Sequence, residues 1–366
     1  MRIYLVHILF LLIPIQLASC QNKKTIMKDK FDWIESISSP LGYPAEIYRG
    51  GLLSEDGNYT SLYLGATTGE WGEGGGGMRG GVKQLPNRLE AIWISYAEGV
   101  VYEINTAIDY DKLLKLFNEG YYVPSKNSDV PEPRQENFDE IIVGLAPGGM
   151  VSIWAYGSGR QVEIGRYQSK KTVISEEEIS QLDETDKMLF SEDWREEIMQ
   201  NEAIIPIEIQ NQNSRKSIPF GQWETYSKKY QWELEIHLPD NSKTKEVWNF
   251  FYNGEWSDLF GETILERHPN ISEELTWNAS LKKPIPKRIN FNWLLDNRYS
   301  AKILFDEKEI FKAFQTITKG NPEEKIKLVI YVNEPKTYAN IKLIGNNQEV
   351  HILDADINIR RTNLTY

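Results

Sequence analysis

Cysteine and histidine are scarce in this chain of 366 residues, which contains one cysteine and four histidines. With Cys20 alone, an internal disulfide cannot form, and a zinc site built from several thiolates is excluded. His7 lies in the first apolar run, and His237, His268 and His351 are far apart and lack the spacing of a zinc-binding pair. We therefore expect no metal site and no cofactor.

The usual setting of a catalytic serine is also missing, because the chain has no Gly-x-Ser-x-Gly segment. The Gly-Ser-Gly within Tyr156–Arg160 is typical of a tight turn. The sequence therefore identifies no catalytic residue. Hydrolysis of a glycosidic bond by a pair of carboxylates stays an open possibility. Acidic residues are plentiful, and whether two of them pair depends on their proximity in three dimensions.

Basic residues are outnumbered by acidic ones, 41 against 53, and the formal net charge is −12. Proteins that bind nucleic acid usually carry a basic patch or stripe, so we expect no nucleic acid partner. Hydrophobic residues make up 40% of the chain and charged residues 26%, the proportions of a globular protein. The 11 Trp and 19 Tyr residues favour β-strands.

The apolar run near the N-terminus, from Ile3 to Ile15, is short for a membrane span. Arg2 precedes it and small residues follow it, which is the arrangement of a secretory signal peptide. The segment Leu17–Cys20, Leu-Ala-Ser-Cys, resembles the lipobox of bacterial lipoproteins. The resemblance implies cleavage before Cys20 and attachment of lipid, palmitate included, to that residue. Several acyl chains together give stable membrane anchoring.

The residues after the cysteine predict where the anchored protein faces. Gln21 stands where an aspartate would, by analogy, favour retention in the inner membrane. The stretch Asn22–Thr25 lacks the acidic run that resembles a surface-export signal. We therefore predict a protein of the cell envelope, anchored through Cys20 in the outer membrane and facing the periplasm.

Four pairs of similar segments occur in the same order in two parts of the chain, which indicates an internal repeat. The pairs are 31–40 with 230–239, 86–93 with 286–293, 109–117 with 306–314, and 157–164 with 345–352. We predict two copies of one unit, at residues 31–167 and 229–356. The remaining segments are a signal peptide at 1–19, a tether at 20–30, an acidic helical linker at 168–228 and a tail at 357–366.

Each unit combines alternating apolar and polar runs, typical of strands, with one helix of amphipathic spacing. Asp109 and Asp306 are predicted N-caps of these two helices. We therefore predict an α+β fold in which each unit is an antiparallel sheet with one amphipathic helix. The tryptophans at the matching positions 33, 93, 232 and 293 are predicted to lie in the core, and the linker is predicted to form one or two short helices.

The first unit contains several distinctive motifs, which are Gly42-Tyr43-Pro44, Leu89 with Trp93 and Ser95, Glu98 with Tyr102, and the helix from Asp109 to Gly120. Together these motifs resemble a family of bacterial lipoproteins catalogued as domain of unknown function 2931. The resemblance covers residues 31–167, and the second copy keeps the framework without the Gly-Tyr-Pro motif and Ser95. It implies a lipoprotein without a known activity, so it supplies no functional residues.

The segment Gly69–Gly81 is rich in glycine, yet it does not fit a phosphate-binding loop. It lacks the Gly-Lys-Ser/Thr ending, and Glu70 and Glu73 would repel an anion. We interpret it as a flexible hairpin excursion that contributes little to stability. The alternative is a partner-binding loop whose contacts are Trp71, Met78 and Arg79. A second Gly-Glu-Trp occurs at Gly254–Trp256, out of register with the repeat.

Three functions are compatible with these features. The first is a non-catalytic, lipid-anchored envelope protein that binds a macromolecular partner, with an immunity-type lipoprotein as one version. The second is a glycan-binding lipoprotein, suggested by the aromatic content, and the third is a hydrolase of the cell envelope. An exposed row of Trp and Tyr residues on one face would favour glycan binding. A buried row together with an acidic groove would favour a protein partner, and a pocket in which two carboxylates converge would favour the enzyme.

We predict that Cys20→Ala abolishes membrane association, because the variant has no thiol to carry the lipid anchor. Fractionation of cells that express the full chain measures this, with Asn22→Ala as a control that keeps the cysteine. If the Cys20→Ala protein still sediments with membranes as the control does, the predicted anchor is wrong.

Overall fold

The computed structural model describes residues 28–75, 77, 81–125, 132–294, 298–346 and 348–362. Cys20, Met78 and Arg79 lie outside the described residues. The fold is mixed α+β with mostly antiparallel sheets, and strands at 46% outweigh helices at 20%. Within the described residues, none of the helices is long and apolar enough to span a membrane.

The first half of the molecule, residues 28–172, is built almost entirely of strands. They are β1 (Lys30–Asp32), β2 (Ile34–Ser38), β3 (Ala45–Ser54), β4 (Tyr59–Ser61), β5 (Val82–Gln84), β6 (Pro86–Ser95), β7 (Val100–Ala107), β8 (Tyr121–Pro124), β9 (Pro133–Glu136), β10 (Glu140–Ala146), β11 (Met150–Gly157), β12 (Arg160–Gln168) and β13 (Lys170–Thr172).

The second half, residues 230–362, has a similar composition of strands. They are β14 (Tyr230–His237), β15 (Lys243–Phe251), β16 (Trp256–Phe260), β17 (Leu281–Lys283), β18 (Pro286–Leu294), β19 (Arg298–Phe305), β20 (Ile326–Val332), β21 (Ala339–Ile344), β22 (Glu349–Ile352) and β23 (Ala355–Thr362). Two 3₁₀ turns lie at Pro239–Asn241 and Glu273–Leu275.

Helices are short and concentrate between the halves, in a linking region that we define as residues 173–229. The helices are α1 (Tyr110–Glu119), α2 (Glu176–Ser180), α3 (Glu184–Met188), α4 (Glu192–Gln200), α5 (Ile207–Asn213), α6 (Gln222–Tyr226), α7 (Glu262–Leu265) and α8 (Glu307–Thr318). The linking region therefore contains five helices, α2 to α6, where the sequence predicted one or two.

Each half contains two larger sheets that pack on one hydrophobic core, and the first half also has the two-stranded sheets β1-β5 and β8-β9. In the first half the larger sheets have the strand orders β13-β7-β6-β3-β4 and β2-β10-β11-β12. In the second half the orders are β23-β19-β18-β15-β16 and β17-β14-β20-β21-β22. The prediction of one sheet per unit is therefore too simple. The sheets are also not purely antiparallel, because β2 pairs in parallel with β10, and β14 pairs in parallel with β20.

One sheet continues from the first half into the second. Strand β12 pairs with β16 through Arg160 opposite Ser257 and Gln161 opposite Trp256, which produces a nine-stranded sheet. Since only these two residue pairs are in register, the ladder itself is short. Other contacts at this junction must hold the halves in place.

The two predicted helices are present and are capped as the sequence indicates. The Asp109 carboxylate accepts a hydrogen bond from the Lys112 backbone N–H at 3.1 Å, and Asp306 accepts one from Glu309 at 2.8 Å. Each bond satisfies a donor that the first helical turn cannot satisfy internally. Both predicted N-caps are confirmed.

The four tryptophans predicted for the core are buried there. Trp33 is 1% exposed, and Trp93, Trp232 and Trp293 are fully buried. Their indoles lie in the two main cores together with apolar residues of α1 and α8. Side chains of this size contribute most to burial, so these positions define the two cores.

The linking region packs on the outer face of the first half and forms a smaller core there. Ile198 of α4 and Leu189 are buried against Tyr48, Ile92 and Tyr96 of the first half. The Arg195 guanidinium also donates to the Tyr96 carbonyl at 2.7 Å. The region is therefore attached to the first half, and its acidic residues stay on the outside.

Two predicted boundaries differ from the structure. The first half continues beyond Tyr167, because β13 (Lys170–Thr172) pairs with β7. The predicted tail at 357–366 forms most of β23 as far as Thr362, and β23 pairs with β19. Both strands complete the edge of a sheet, and their partners are far away in the chain, so the repeat pattern did not reveal them.

Candidate functional site

The glycine-rich segment lies against β2, which is an edge strand of the nine-stranded sheet. The Gly69 N–H donates to the Ser39 carbonyl at 2.9 Å, and the Gly75 N–H donates to the Ile37 carbonyl at 3.0 Å. The Gly72 N–H donates to the Ser38 hydroxyl at 3.1 Å. Residues 69–75 are therefore fixed to the sheet, and the interpretation of this part as a free excursion is wrong.

Close approach of backbone to backbone explains why glycine is needed here. A Cβ atom at Gly77 would lie 1.6 Å from the Glu35 carbonyl oxygen. Gly72 has a φ of +88°, and a Cβ there would lie 2.8 Å from the Gly254 Cα of the second half. A side chain at either position would displace the segment from its neighbours.

The same segment joins the two halves. The Gln161 side-chain amide donates to the carbonyls of both Gly72 and Gly254, each at 2.8 Å. The Trp154 indole N–H donates to the Asn253 carbonyl at 3.2 Å. Trp71 packs edge-on against Trp154 with ring centroids 5.0 Å apart. The predicted contact residue Trp71 is thus half-buried at the junction.

A groove of about 940 Å³ opens between the glycine segment, the linking region and the second half. We call it the inter-half groove. Its lining includes Glu70, Trp71, Glu140, Tyr156, Trp223, Phe250, Trp256, Lys287 and Arg288. Both Gly-Glu-Trp segments lie in its wall, so their match was the one sequence signal that pointed to this place.

Aromatic side chains form a row in the inter-half groove. Trp256 stacks on Phe250 with centroids 5.4 Å apart and planes 11° apart, and Tyr156 lies 6.3 Å from Trp256. The Arg288 guanidinium lies 3.9 Å from the centre of the Phe250 ring. All four side chains are half-buried, so the row is fixed in position while part of it faces the groove.

Charged side chains of both signs accompany this row. The Glu70 carboxylate of the glycine segment forms an ion pair of 3.2 Å with Lys287 of β18, which connects the two halves across the groove. Burial raises the pKa of the Glu140 carboxyl, and a hydrogen bond of 2.5 Å from the Ser36 hydroxyl lowers it in part. The groove is therefore polar at its rim and apolar along the aromatic row.

A second polar network lies on the other side of the junction and centres on Glu163, which is 6% exposed. Its carboxylate accepts from Asn253 at 3.4 Å and pairs with Arg166 at 3.0 Å. Its backbone N–H donates to the Glu255 carboxylate at 3.1 Å, and Lys112 of α1 donates to its carbonyl at 2.6 Å. Burial raises the pKa of Glu163, and Arg166 lowers it in part.

The carboxyls with raised pKa values are thus engaged by neighbouring side chains. The Ser36 hydroxyl donates a hydrogen bond to Glu140. Glu163 forms an ion pair with Arg166 and accepts a hydrogen bond from Asn253. Within the described part of the chain, no group of three or more His, Cys, Asp or Glu residues could hold a metal ion.

A family model described as "Protein of unknown function (DUF2931)" matches residues 19–221, more than half of the 366 residues. The chain belongs to the DUF2931 family. The DUF2931 match includes Cys20, the first half, the glycine segment and helices α2 to α5, and it ends before β14. No curated protein and no solved structure matches the chain significantly.

The inter-half groove therefore has one wall inside the DUF2931 match and the other wall beyond it. Trp71 and Tyr156 belong to the matched residues, whereas Phe250, Trp256 and Arg288 belong to the second half. Residues of the second half reach the groove because Gly254 lies against Gly72.

We predict that Gly72→Ala lowers the free energy of unfolding by about 2 kcal/mol, because a Cβ would strain a positive φ and also meet Gly254. Chemical denaturation of the purified protein measures this. Gly57→Ala is the matched control, since Gly57 has a φ of +83° with open space around its Cβ position. An equal loss of unfolding free energy in both variants would show that the contact with Gly254 does not contribute to stability.

Proposed function

We propose that this protein is a non-catalytic lipoprotein of the bacterial cell envelope that binds a protein partner in the inter-half groove. The main observation in support of this proposal is the row formed by Tyr156, Trp256, Phe250 and Arg288. These side chains are half-buried and packed against one another. Aromatic residues and arginine are enriched where proteins bind one another, and they dominate the binding energy there.

The charges of the inter-half groove also support a protein partner. Glu70 and Lys287 lie beside the aromatic row, and Glu307 and Lys308 at the start of α8 also line the groove. Charges of both signs suit the mixed surface of a folded protein, and they contribute more to specificity than to affinity. An immunity-type protein that neutralises a toxin is one version of this function.

A glycan is the second candidate ligand, because the groove presents aromatic rings on which sugars could stack. However, Phe250 covers one face of Trp256, and the Arg288 guanidinium lies over the Phe250 ring. Since these ring faces already have partners within the protein, the arrangement favours a protein over a sugar.

The proposed anchor follows from the N-terminal sequence. Cys20 lies within the family match, and the described residues begin at Lys28. Eight intervening steps of chain reach at most about 28 Å when fully extended. An acylated Cys20 would therefore hold Lys28, where the first half begins, within about 28 Å of the membrane surface.

We also propose that the two halves arose from duplication of one unit. In both halves the larger sheets have corresponding strand orders, and β2 and β14 pair in parallel with β10 and β20, which come after α1 and α8 in the chain. Helix α1 occupies the same place in this order as α8, and both have an aspartate N-cap.

Side-chain contacts repeat as well, which supports the duplication. The Lys83 ammonium lies 3.9 Å from the Trp33 ring centre, and the Lys283 ammonium lies 4.0 Å from that of Trp232. Trp93 stacks on Tyr102 at 4.7 Å, and Trp293 stacks on Tyr299 at 5.4 Å. A fold reached independently has no reason to repeat these pairs at matching positions.

The duplication predicts that a sequence profile built from relatives of the second half alone will detect the first half. The matched residues should follow the four repeated segments in order, with Trp232 aligned to Trp33 and Lys283 to Lys83. A profile that instead detects an unrelated family, or aligns the halves in a different strand order, contradicts the duplication.

To test the function, a photo-cross-linking phenylalanine analogue would replace Trp256 in the membrane-anchored protein, within cells of the source organism. We expect a discrete adduct in which mass spectrometry finds peptides of a second protein, and we expect Arg288→Glu to abolish it, because the arginine lies beside the same row. The matched control carries the analogue at Tyr59, which is 55% exposed and is not among the residues that line the groove.

Each outcome of this experiment decides between the candidates. An adduct that contains no peptides of a second protein and loses its added mass on periodate treatment would identify a glycan ligand and exclude the protein partner. Identical adducts at positions 256 and 59, or none at position 256, would contradict binding in the groove. Circular dichroism of each variant shows whether it is folded.

A further inference from the structure

We infer that a separate small cavity at the junction of the halves binds a small carboxylate ligand. This junction cavity measures about 270 Å³ and lies among β12, β15, β16 and β17. At about 30 Å³ for each water-sized group, it has room for about nine such groups. The inference concerns a second ligand and does not depend on the partner proposed for the groove.

Asn249 of β15 is the first observation that points to a ligand. Asn249 is among the residues that line the junction cavity, and its side chain is fully buried. Within the described residues, neither the oxygen nor the nitrogen of its amide has a hydrogen-bond partner. Buried amides nearly always have partners, because an unpaired polar group in the interior lowers stability.

Two basic side chains present further donors to the same cavity. The Nε–H of Arg160 has no hydrogen-bond partner among the described residues, while its Nη2 lies 3.6 Å from Glu274. The Lys283 ammonium donates to the Ala279 carbonyl at 2.8 Å and lies over the Trp232 ring. The groups left to bind a ligand are thus mainly donors, which suits an anionic acceptor.

The first half shows what the Lys283 site lacks. There, Lys83 occupies the corresponding place over Trp33 and forms an ion pair of 3.1 Å with Glu35. Glu35 follows Phe31 by four positions, and the residue four positions after the matching Tyr230 is Leu234. The second half therefore keeps the lysine and the tryptophan without the carboxylate.

A ligand carboxylate would supply in the second half the charge that Glu35 supplies in the first. Burial lowers the pKa of Lys283 to about 7, and the charge of Glu233 opposes this only in part. The other two lysines that line the cavity have acidic partners, since Lys229 pairs with Glu255 at 3.5 Å and Lys282 with Glu323 at 2.6 Å. Lys283 is therefore the cation with which a ligand would pair.

Binding should depend on pH, because a carboxylate pairs with the protonated amine. With a pKa of about 7, Lys283 is mostly charged below neutral pH and mostly neutral well above it. Affinity is therefore expected to fall as pH rises through this range. The charged groups that face Lys283 or share its cavity are Glu233 on β14, Arg160 on β12, Glu255 before β16, Glu274 in the 3₁₀ turn, and Lys229 and Lys282.

The test is calorimetric titration of the full chain with benzoate, and with benzamide as an uncharged ligand of similar shape. We expect benzoate to bind at least about tenfold more tightly than benzamide at about pH 6, and to weaken at about pH 9. Lys283→Met should lose at least about tenfold in benzoate affinity, since it keeps the packing on Trp232 and removes the charge. Lys171→Met, an exposed lysine of β13, is the charge-matched control.

Leu234→Glu provides a second test, because it places a carboxylate where the first half has Glu35. It should abolish benzoate binding by occupying Lys283 from within the protein. The inference is overturned if benzoate does not bind, if benzamide binds equally well, or if Lys283→Met or Leu234→Glu binds benzoate as the unmodified protein does. Thermal denaturation confirms that at least one of the two variants is folded before it is titrated.

Discussion

Where the two halves meet, the backbone at Gly72 lies against the backbone at Gly254 so closely that a single added carbon atom would lie 2.8 Å from its neighbour. Gln161 fixes this contact by donating to both carbonyls. The ladder between β12 and β16 contains only two residue pairs in register. The position of the second half against the first therefore depends on this glycine contact and on the side chains around it.

The two sites that we propose for ligands both lie near that contact. On one side, it brings Trp256 of the second half beside Tyr156 of the first, and Lys287 within reach of Glu70. On the other side, Gln161, which donates to both glycine carbonyls, also lines the small cavity between β12 and β17 that contains Lys283. A glycine segment that looked like a loop therefore forms one wall of the groove, to which it contributes Glu70 and Trp71.

Much of the local structure could be predicted because its causes are local. The caps at Asp109 and Asp306 involve residues three positions apart, and the buried tryptophans lie in strands with alternating polarity. The second sheet of each half was not predicted from the sequence, because its pairing joins residues that are far apart in the chain. Strand β2 pairs in parallel with β10, which lies about a hundred residues later in the chain. No short-range sequence pattern predicts such a partner.

The sequence by itself determined the kinds of elements, the two capped helices, the buried tryptophans and the membership of the DUF2931 family. Helical periodicity, strand alternation and capping depend on neighbours in the chain, so they can be predicted from the order of the amino acids. Only the tertiary structure decided which glycines are required, where the groove lies and which lysine lacks a counter-charge. Those properties depend on distances between residues such as Gly72 and Gly254, which are set by how the sheets pack and not by any pattern near either residue.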